Sequence, residues 1–147
     1  MTSQRVLLAH ENPDCLRIYG SVLGFEGYDV VTADSGDLAF SFLTTAAFDL
    51  LVCDLYLRST EDECLVRRVR RQANRAYLPI VVLTGWTTPP HRRLALDEGA
   101  DLFFGLPVGP RQLVQAVRGL LAHEAPEPVS LGRATQSSAA ATSLPAS

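Results

Sequence analysis

The sequence predicts an α/β fold, a doubly wound five-stranded parallel sheet, because five short apolar runs alternate with five segments of helical spacing over residues 5 to about 122. The runs are Val6–Ala9, Val30–Ala33, Leu50–Cys53, Ile80–Leu83 and Leu102–Phe104. Their apolarity is continuous rather than alternating, as in parallel strands covered on both faces. Helix start signals stand between them, and five strand–helix units in a row favour right-handed crossovers onto one sheet.

Each helix has its own cue. Asn12-Pro13 opens the first, a capping residue followed by proline at the first helical position. Cys15, Ile18, Tyr19, Val22 and Phe25 then form its predicted core stripe. Gly20 and Gly24 weaken that helix by roughly 1 kcal/mol each relative to alanine, so it should lean on tertiary packing. Ser35 opens the second helix, with Leu38, Ala39, Phe42 and Leu43 inward. Thr60 with Glu63 reads as a capping box for the third, which carries Leu65, Val66 and Val69. Pro89-Pro90 precede the fourth, which ends at Gly99. Pro110 starts the fifth, with Leu113, Val117, Leu120 and Leu121 inward.

These elements make one domain, residues 1–123, followed at 124–147 by an Ala/Ser/Pro-rich tail whose composition predicts disorder. The chain has 147 residues, 47% of them apolar, and a formal charge of −3. That charge is too mild to argue for a nucleic-acid partner. No apolar run approaches the ~18 residues of a membrane span, and no secretory signal opens the chain. Cys15, Cys53 and Cys64 fit no metal or redox spacing, which suits reduced thiols and a cytoplasmic setting. All 13 basic residues are arginine, so no lysine amine serves any chemistry.

Reactive groups in such a sheet gather at the carboxyl ends of the strands. There the sequence places His10-Glu11, Asp54, Thr84 and Leu106-Pro107. Converging carboxylates repel, a cost tolerated where a cation or phosphoryl chemistry needs them. A flavin or dinucleotide is excluded, because Glu11 repels phosphate and Pro13 removes a backbone donor from the loop that would cradle it. A dehalogenase-type hydrolase is excluded too, since Tyr56 stands where its second Asp is required. The chain is not expected to be an enzyme.

In order and spacing, several segments resemble the receiver domains of two-component response regulators. They are the acidic turn with Asn12-Pro13, Glu26-Gly27-Tyr28 before the second strand, Asp54 within LLVCDLYL, Thr84 within PIVVLTG, and DEGADLFFGLP. The resemblance covers roughly residues 5–122 and implies a flavodoxin-like sheet of order 2-1-3-4-5. It implies that Asp54 accepts a phosphoryl group from a histidine kinase or phosphotransfer protein. It also implies Mg²⁺ held by Glu11, Asp54 and the Tyr56 carbonyl, with Thr84 and Phe103 as the switch pair. A stand-alone receiver of this kind signals by contact with a downstream protein, usually through the fourth helix, fifth strand and fifth helix, and a homodimer is left open.

Two positions depart from the family pattern. His10 replaces one of its paired acids and weakens the implied Mg²⁺ site, and Leu106 replaces its lysine. One such unit-charge contact at ~4 Å and an effective dielectric near 20 is on the order of 4 kcal/mol before desolvation. A protonated His10, flanked by Glu11 and Asp54, is the candidate for part of the missing charge. The alternative function is a degenerate pseudo-receiver that docks proteins without phosphate. Other features have two readings each. Tyr56 and Trp86 either overhang the site or pack its rim, and Gly85 leaves access open. Arg67, Arg68, Arg70, Arg71 and Arg75 make either a binding patch or a solvated face next to Glu61, Asp62 and Glu63. His91 and His123 have no partner readable from sequence.

Overall fold

The computed structural model describes residues 3–61, 63–72 and 77–124. Asp62, Arg75, the predicted tail from 125 onward and the side chain of His123 lie outside the described residues. Five strands alternate with five helices: β1 (Arg5–Ala9), α1 (Pro13–Phe25), β2 (Asp29–Ala33), α2 (Gly36–Thr45), β3 (Leu50–Cys53), α3 (Leu65–Arg71), β4 (Ile80–Thr84), α4 (Pro89–Glu98), β5 (Leu102–Gly105) and α5 (Pro110–Glu124). The sheet order is β2-β1-β3-β4-β5 and every pairing is parallel.

The continuous apolar runs have the expected cause. Side chains alternate faces along a strand, and each face of the central strands meets a helical layer. Leu7, Leu51, Ile80 and Val82 face a core completed by Ala39 and Leu43 of α2, Val66 and Val69 of α3 and Ala95 of α4. Leu8, Val52, Val81 and Leu83 face Tyr19 and Leu23 of α1 and Leu113, Val117 and Leu121 of α5. Burying one such aliphatic side chain fully is worth about 1.5–3 kcal/mol. The outermost strands β2 and β5 are less covered, with mostly half-buried residues.

Helix starts follow the sequence closely. Asn12 caps α1 by accepting from the Asp14 and Cys15 amides, and Ser35 caps α2 by accepting from the Leu38 amide. Two expectations are corrected. The buried stripe of α1 is Cys15, Tyr19 and Leu23, whereas Ile18 is 45% and Phe25 90% exposed. The reason is the seat of Tyr19, whose hydroxyl donates to the Val108 carbonyl at 2.7 Å and fixes the helix rotation. On α2, Leu38 is likewise exposed, while Ala39 and Leu43 fill the core and Phe42 packs at its margin.

The predicted capping box of α3 does not form. Cys64 is the residue before the helix and makes no side-chain cap bond. Thr60 is held instead by Asp37, which accepts its amide at 2.8 Å and its hydroxyl at 3.2 Å. These bonds, the Thr60 amide first, keep the Asp37 carboxyl below its ordinary range. The arginines of α3 are paired rather than free. Arg67 meets Glu98, Arg68 meets Asp37 and lies over the Phe40 ring, Arg70 meets Asp101, and Arg71 meets Glu63. That pairing argues against a free binding patch, and the solvated-face expectation holds for Arg67 and Arg71 but is corrected for Arg68 and Arg70, whose side chains are largely buried.

Arg70 also donates to the Gly99 carbonyl at 3.0 Å. Gly99 closes α4 at φ 122°, and a Cβ there would lie 2.7 Å from Arg70 Cγ. A side chain at this position pays twice, in backbone strain and in a displaced Arg70. Gly99→Ala is expected to lower unfolding free energy by about 1–3 kcal/mol in urea titration.

Candidate functional site

The site is assembled by strand register. Ala9 pairs with Cys53 and Cys53 with Val82, so β1, β3 and β4 end at nearly the same level. The ladder continues one step further, with the Asp54 amide donating to the Ala9 carbonyl at 3.0 Å. His10 and Asp54 therefore leave the sheet side by side, in the crevice where the connections diverge to opposite faces.

Asp54 has two inequivalent oxygens. Oδ1 accepts from the Leu55 amide at 2.8 Å, whereas the nearest basic atom to Oδ2 is His10 Nε2 at 3.7 Å, beyond a normal hydrogen bond. The side chain is 12% exposed, so Oδ2 is reachable and not sealed beneath apolar cover. Its negative charge is felt nearby: burial first, and Asp54 second, push the Cys15 thiol up.

His10 is buried and both ring nitrogens are engaged. Nδ1 accepts from the Asn12 amide at 3.2 Å, and Nε2 lies 3.1 Å from the Leu83 carbonyl. A carbonyl only accepts, so Nε2 carries the hydrogen. Nδ1 must then keep its lone pair for the Asn12 amide, which makes the ring neutral. The geometry argues against the protonated imidazole considered from the sequence, because a second ring proton would meet the Asn12 N–H head on. His10 is thus a fixed ring beside Asp54, its one N–H directed at the Leu83 carbonyl.

The remaining candidates are distributed around this pair. Glu11 is exposed and its Oε2 accepts from the Arg58 amide, so it is tied to the β3–α3 loop rather than to Asp54. That loop is held in turn by Asp37 and by the Gly36 amide, which donates to the Arg58 carbonyl at 2.7 Å. Thr84 is fully buried and its hydroxyl oxygen accepts from the Trp86 amide at 3.2 Å. Phe103 is half-buried against the α2–α3–α4 core. Leu106 is half-buried against the α1–α5 core, and its amide donates to the Thr84 carbonyl at 2.8 Å. Gly85 is exposed and nothing crowds it.

Sequence reasoning missed the partner of Tyr56. Its hydroxyl lies 2.8 Å from His91 Nδ1, and Trp86 packs against both rings at centroid distances of 5.6 and 5.2 Å. Tyr56 and Trp86 remain exposed, forming a rim rather than a roof. The usable signal was positional: helices after parallel strands begin at the carboxyl edge, so the first turn of α4 reaches residues following β3 and β4.

The groups fit a weakly held hard cation. Among the described residues Oδ2 of Asp54 has no hydrogen-bond donor, and oxygen ligands from one or two carboxylates suffice for Mg²⁺, which retains water. Among the described residues no group of three or more His, Cys, Asp or Glu side chains is arranged to hold a metal. Binding would also draw Glu11 away from the Arg58 amide.

Comparison with known proteins converges on one family. The family model described as response regulator receiver domain matches residues 6–118. Transcriptional regulatory protein TrcR of Mycobacterium tuberculosis is 32% identical over 117 residues, 80% of this chain and 45% of that protein. Sensor protein GacS of Pseudomonas syringae is 32% identical over 116 residues, 77% of this chain and 13% of that protein. The chain thus spans less than half the length of either relative. A putative response regulator from Chloroflexus aurantiacus superposes with a TM-score of 0.77 at 27% identity, covering 82% of this chain and 99% of that one.

The buried imidazole has a direct spectroscopic signature. ¹⁵N–¹H correlation at neutral pH should show His10 as the Nε2-protonated tautomer, and a doubly protonated ring would contradict the assignment. His10→Ala, which strands the Leu83 carbonyl and the Asn12 amide, should cost about 1–3 kcal/mol by denaturant titration.

Proposed function

The chain belongs to the response regulator receiver domain family, and we propose that it accepts a phosphoryl group at Asp54 in a two-component phosphorelay and signals by protein contact. A receiver is a signalling module and not a catalytic enzyme, and its membership implies a cognate histidine kinase. No described helix is long and apolar enough to cross a membrane.

The observation that carries this reading is the asymmetry of Asp54. The Leu55 amide pins Oδ1, Oδ2 has no donor among the described residues, and the side chain keeps 12% exposure. Oδ2 is thereby set as the nucleophile. In the transfer, the P–N bond of a donor phosphohistidine breaks as the Oδ2–P bond forms. The electron pair returns to the donor imidazole, which takes up a proton, and the product is an acyl phosphate. His10 Nε2 lies 3.7 Å from Oδ2, but its hydrogen is directed at the Leu83 carbonyl 3.1 Å away, so the ring borders the incoming phosphoryl group without being its donor. Thr84 supplies the hydroxyl for a hydrogen bond to a phosphoryl oxygen once it leaves the Trp86 amide. When bound by Asp54, Glu11 and the Tyr56 carbonyl, Mg²⁺ would supply charge neutralisation for the transferring group.

A second reading is a phosphate-independent docking module, and Leu106 is what favours it. The family's lysine position is filled by an apolar side chain packed on the core, with no lysine elsewhere to replace it. The neutral His10 leaves that charge unreplaced. The two readings share the fold and differ in whether Asp54 is ever modified. The α4–β5–α5 face, where Leu94 and Leu96 are exposed, is the output surface in the first.

Incubation of the chain with acetyl phosphate and Mg²⁺, followed by intact-mass measurement, separates them. A single phosphoryl adduct is expected on the wild type and none on Asp54→Ala; no adduct from acetyl phosphate or a cognate kinase transfers the function to the docking reading. Two substitutions grade the site. His10→Asp should tighten Mg²⁺ binding roughly tenfold or more by isothermal calorimetry, since a further carboxylate joins Asp54, Glu11 and the Tyr56 carbonyl around the cation. Leu106→Lys should raise the phosphorylated fraction at fixed donor concentration, because an ammonium near the phosphoryl oxygens restores the missing attraction.

A further inference from the structure

Three aromatic rings from three separate segments stand together at the carboxyl edge of the sheet. Tyr56 comes two residues after Asp54, Trp86 two residues after Thr84, and His91 from the first turn of α4. The Tyr56 ring is nearly perpendicular to both others, at 89° to Trp86 and 87° to His91, with centroids 5.6 and 5.4 Å away. Its hydroxyl, 2.8 Å from His91 Nδ1, locks two of the rings together. Tyr56 and Trp86 still expose much of their surface. Aromatic faces left in water contribute little to their own fold, and the corner these two form is open to a guest.

The guest is defined by what has to reach Asp54. Oδ2 sits on a side chain that is only 12% exposed, so a phosphoryl donor arrives from solvent, past the exposed Tyr56 and Trp86. In-line transfer puts the leaving group on the far side of phosphorus from Oδ2, which is the solvent side. With a phosphohistidine donor the leaving group is an imidazole, a planar aromatic ring that is positively charged whenever its second nitrogen is protonated. Tyrosine and tryptophan attract such a ring through stacked or edge contacts and through the cation–π interaction. The crevice wall offers it little else. Leu106 is apolar, and the one N–H of His10 is directed at the Leu83 carbonyl.

We infer that Tyr56 and Trp86 form a subsite for the donor's imidazole ring and so select aromatic N-phosphoryl donors. The inference rests on Asp54 being the phosphoacceptor and adds the class of donor it takes. In the step itself the P–N bond breaks, its electron pair stays with the ring nitrogen, and the Oδ2–P bond forms. The ring then takes up a proton and departs past the two side chains. Holding the ring there orients the P–N bond toward Oδ2 before it breaks.

Time-resolved labelling of the full chain with Mg²⁺ and two small P–N donors, read by intact mass, tests the subsite. Phosphoimidazole presents the ring, whereas phosphoramidate releases ammonia. The ratio of their second-order rate constants therefore isolates the ring from the bond that breaks. Trp86→Ala should lower that ratio roughly fivefold, the size of a partly exposed cation–π contact. Trp86→Phe should keep most of it, and Trp86→Leu should lose it as the alanine variant does. A ratio unmoved by Trp86→Ala, or kept in full by Trp86→Leu, overturns the inference, while labelling by phosphoramidate still upholds Asp54 as the acceptor. A wild type labelled by neither donor overturns both.

Discussion

Everything at the site depends on the parallel register that brings Ala9 and Cys53 abreast. Because the two strands end together, the next residue of each, His10 and Asp54, emerges into the same crevice with no loop to position it. The Asp54 amide still belongs to the ladder through the Ala9 carbonyl, and the His10 amide through that of Ala33. A slip of one residue would turn Leu7 and Leu51 to the opposite helical layer along with both site residues. The core therefore enforces the chemistry: alternating burial on two faces permits one register, and that register decides which side chains reach the edge.

Within that frame, the neutral imidazole changes the electrostatics of the crevice. A carboxylate at position 10 would be a second anion beside Asp54. Two unit charges near 4 Å at an effective dielectric of 20 repel by about 4 kcal/mol, a cost that a bound cation offsets. An uncharged ring at position 10 carries no such repulsion. The Leu83 carbonyl and the Asn12 amide hold both ring nitrogens, so the ring offers the crevice neither a carboxylate oxygen nor a free N–H.

The sequence revealed the fold well because its strongest signals were local. Unbroken apolar runs marked all five strands to within a residue or so, and Asn12, Ser35 and Pro110 marked helix starts. Helix rotation was not local. Cys15, Ile18, Tyr19, Val22 and Phe25 all suit a core, and the choice among them was made by the Tyr19 hydroxyl and a carbonyl 89 residues away. The false capping box has a similar origin: Thr60 and Glu63 have the right spacing, but Asp37 from another element competes for the threonine. At the site, identities were legible and directions were not. Nothing in the string told that Glu11 would turn to the Arg58 amide, that His10 would be neutral, or that His91 would meet Tyr56.

The first helix links these observations. Asn12 does double service, its side chain capping α1 while its backbone amide holds His10 Nδ1. At the middle of the helix, Tyr19 ties it to the segment joining β5 and α5 through the Val108 carbonyl and amide. Near its C-terminus lie Phe25 and the α1–α5 cavity. A rigid helix with three attachments cannot shift at one without straining the others. Anything that moves the start of this helix thus bears on the bond from the Asn12 amide to His10 Nδ1, and a change at His10 bears equally on the cap. Such coupling is reciprocal by thermodynamic necessity. Its size is set by how differently a partner binds the two helix positions and not by the length of the path between them.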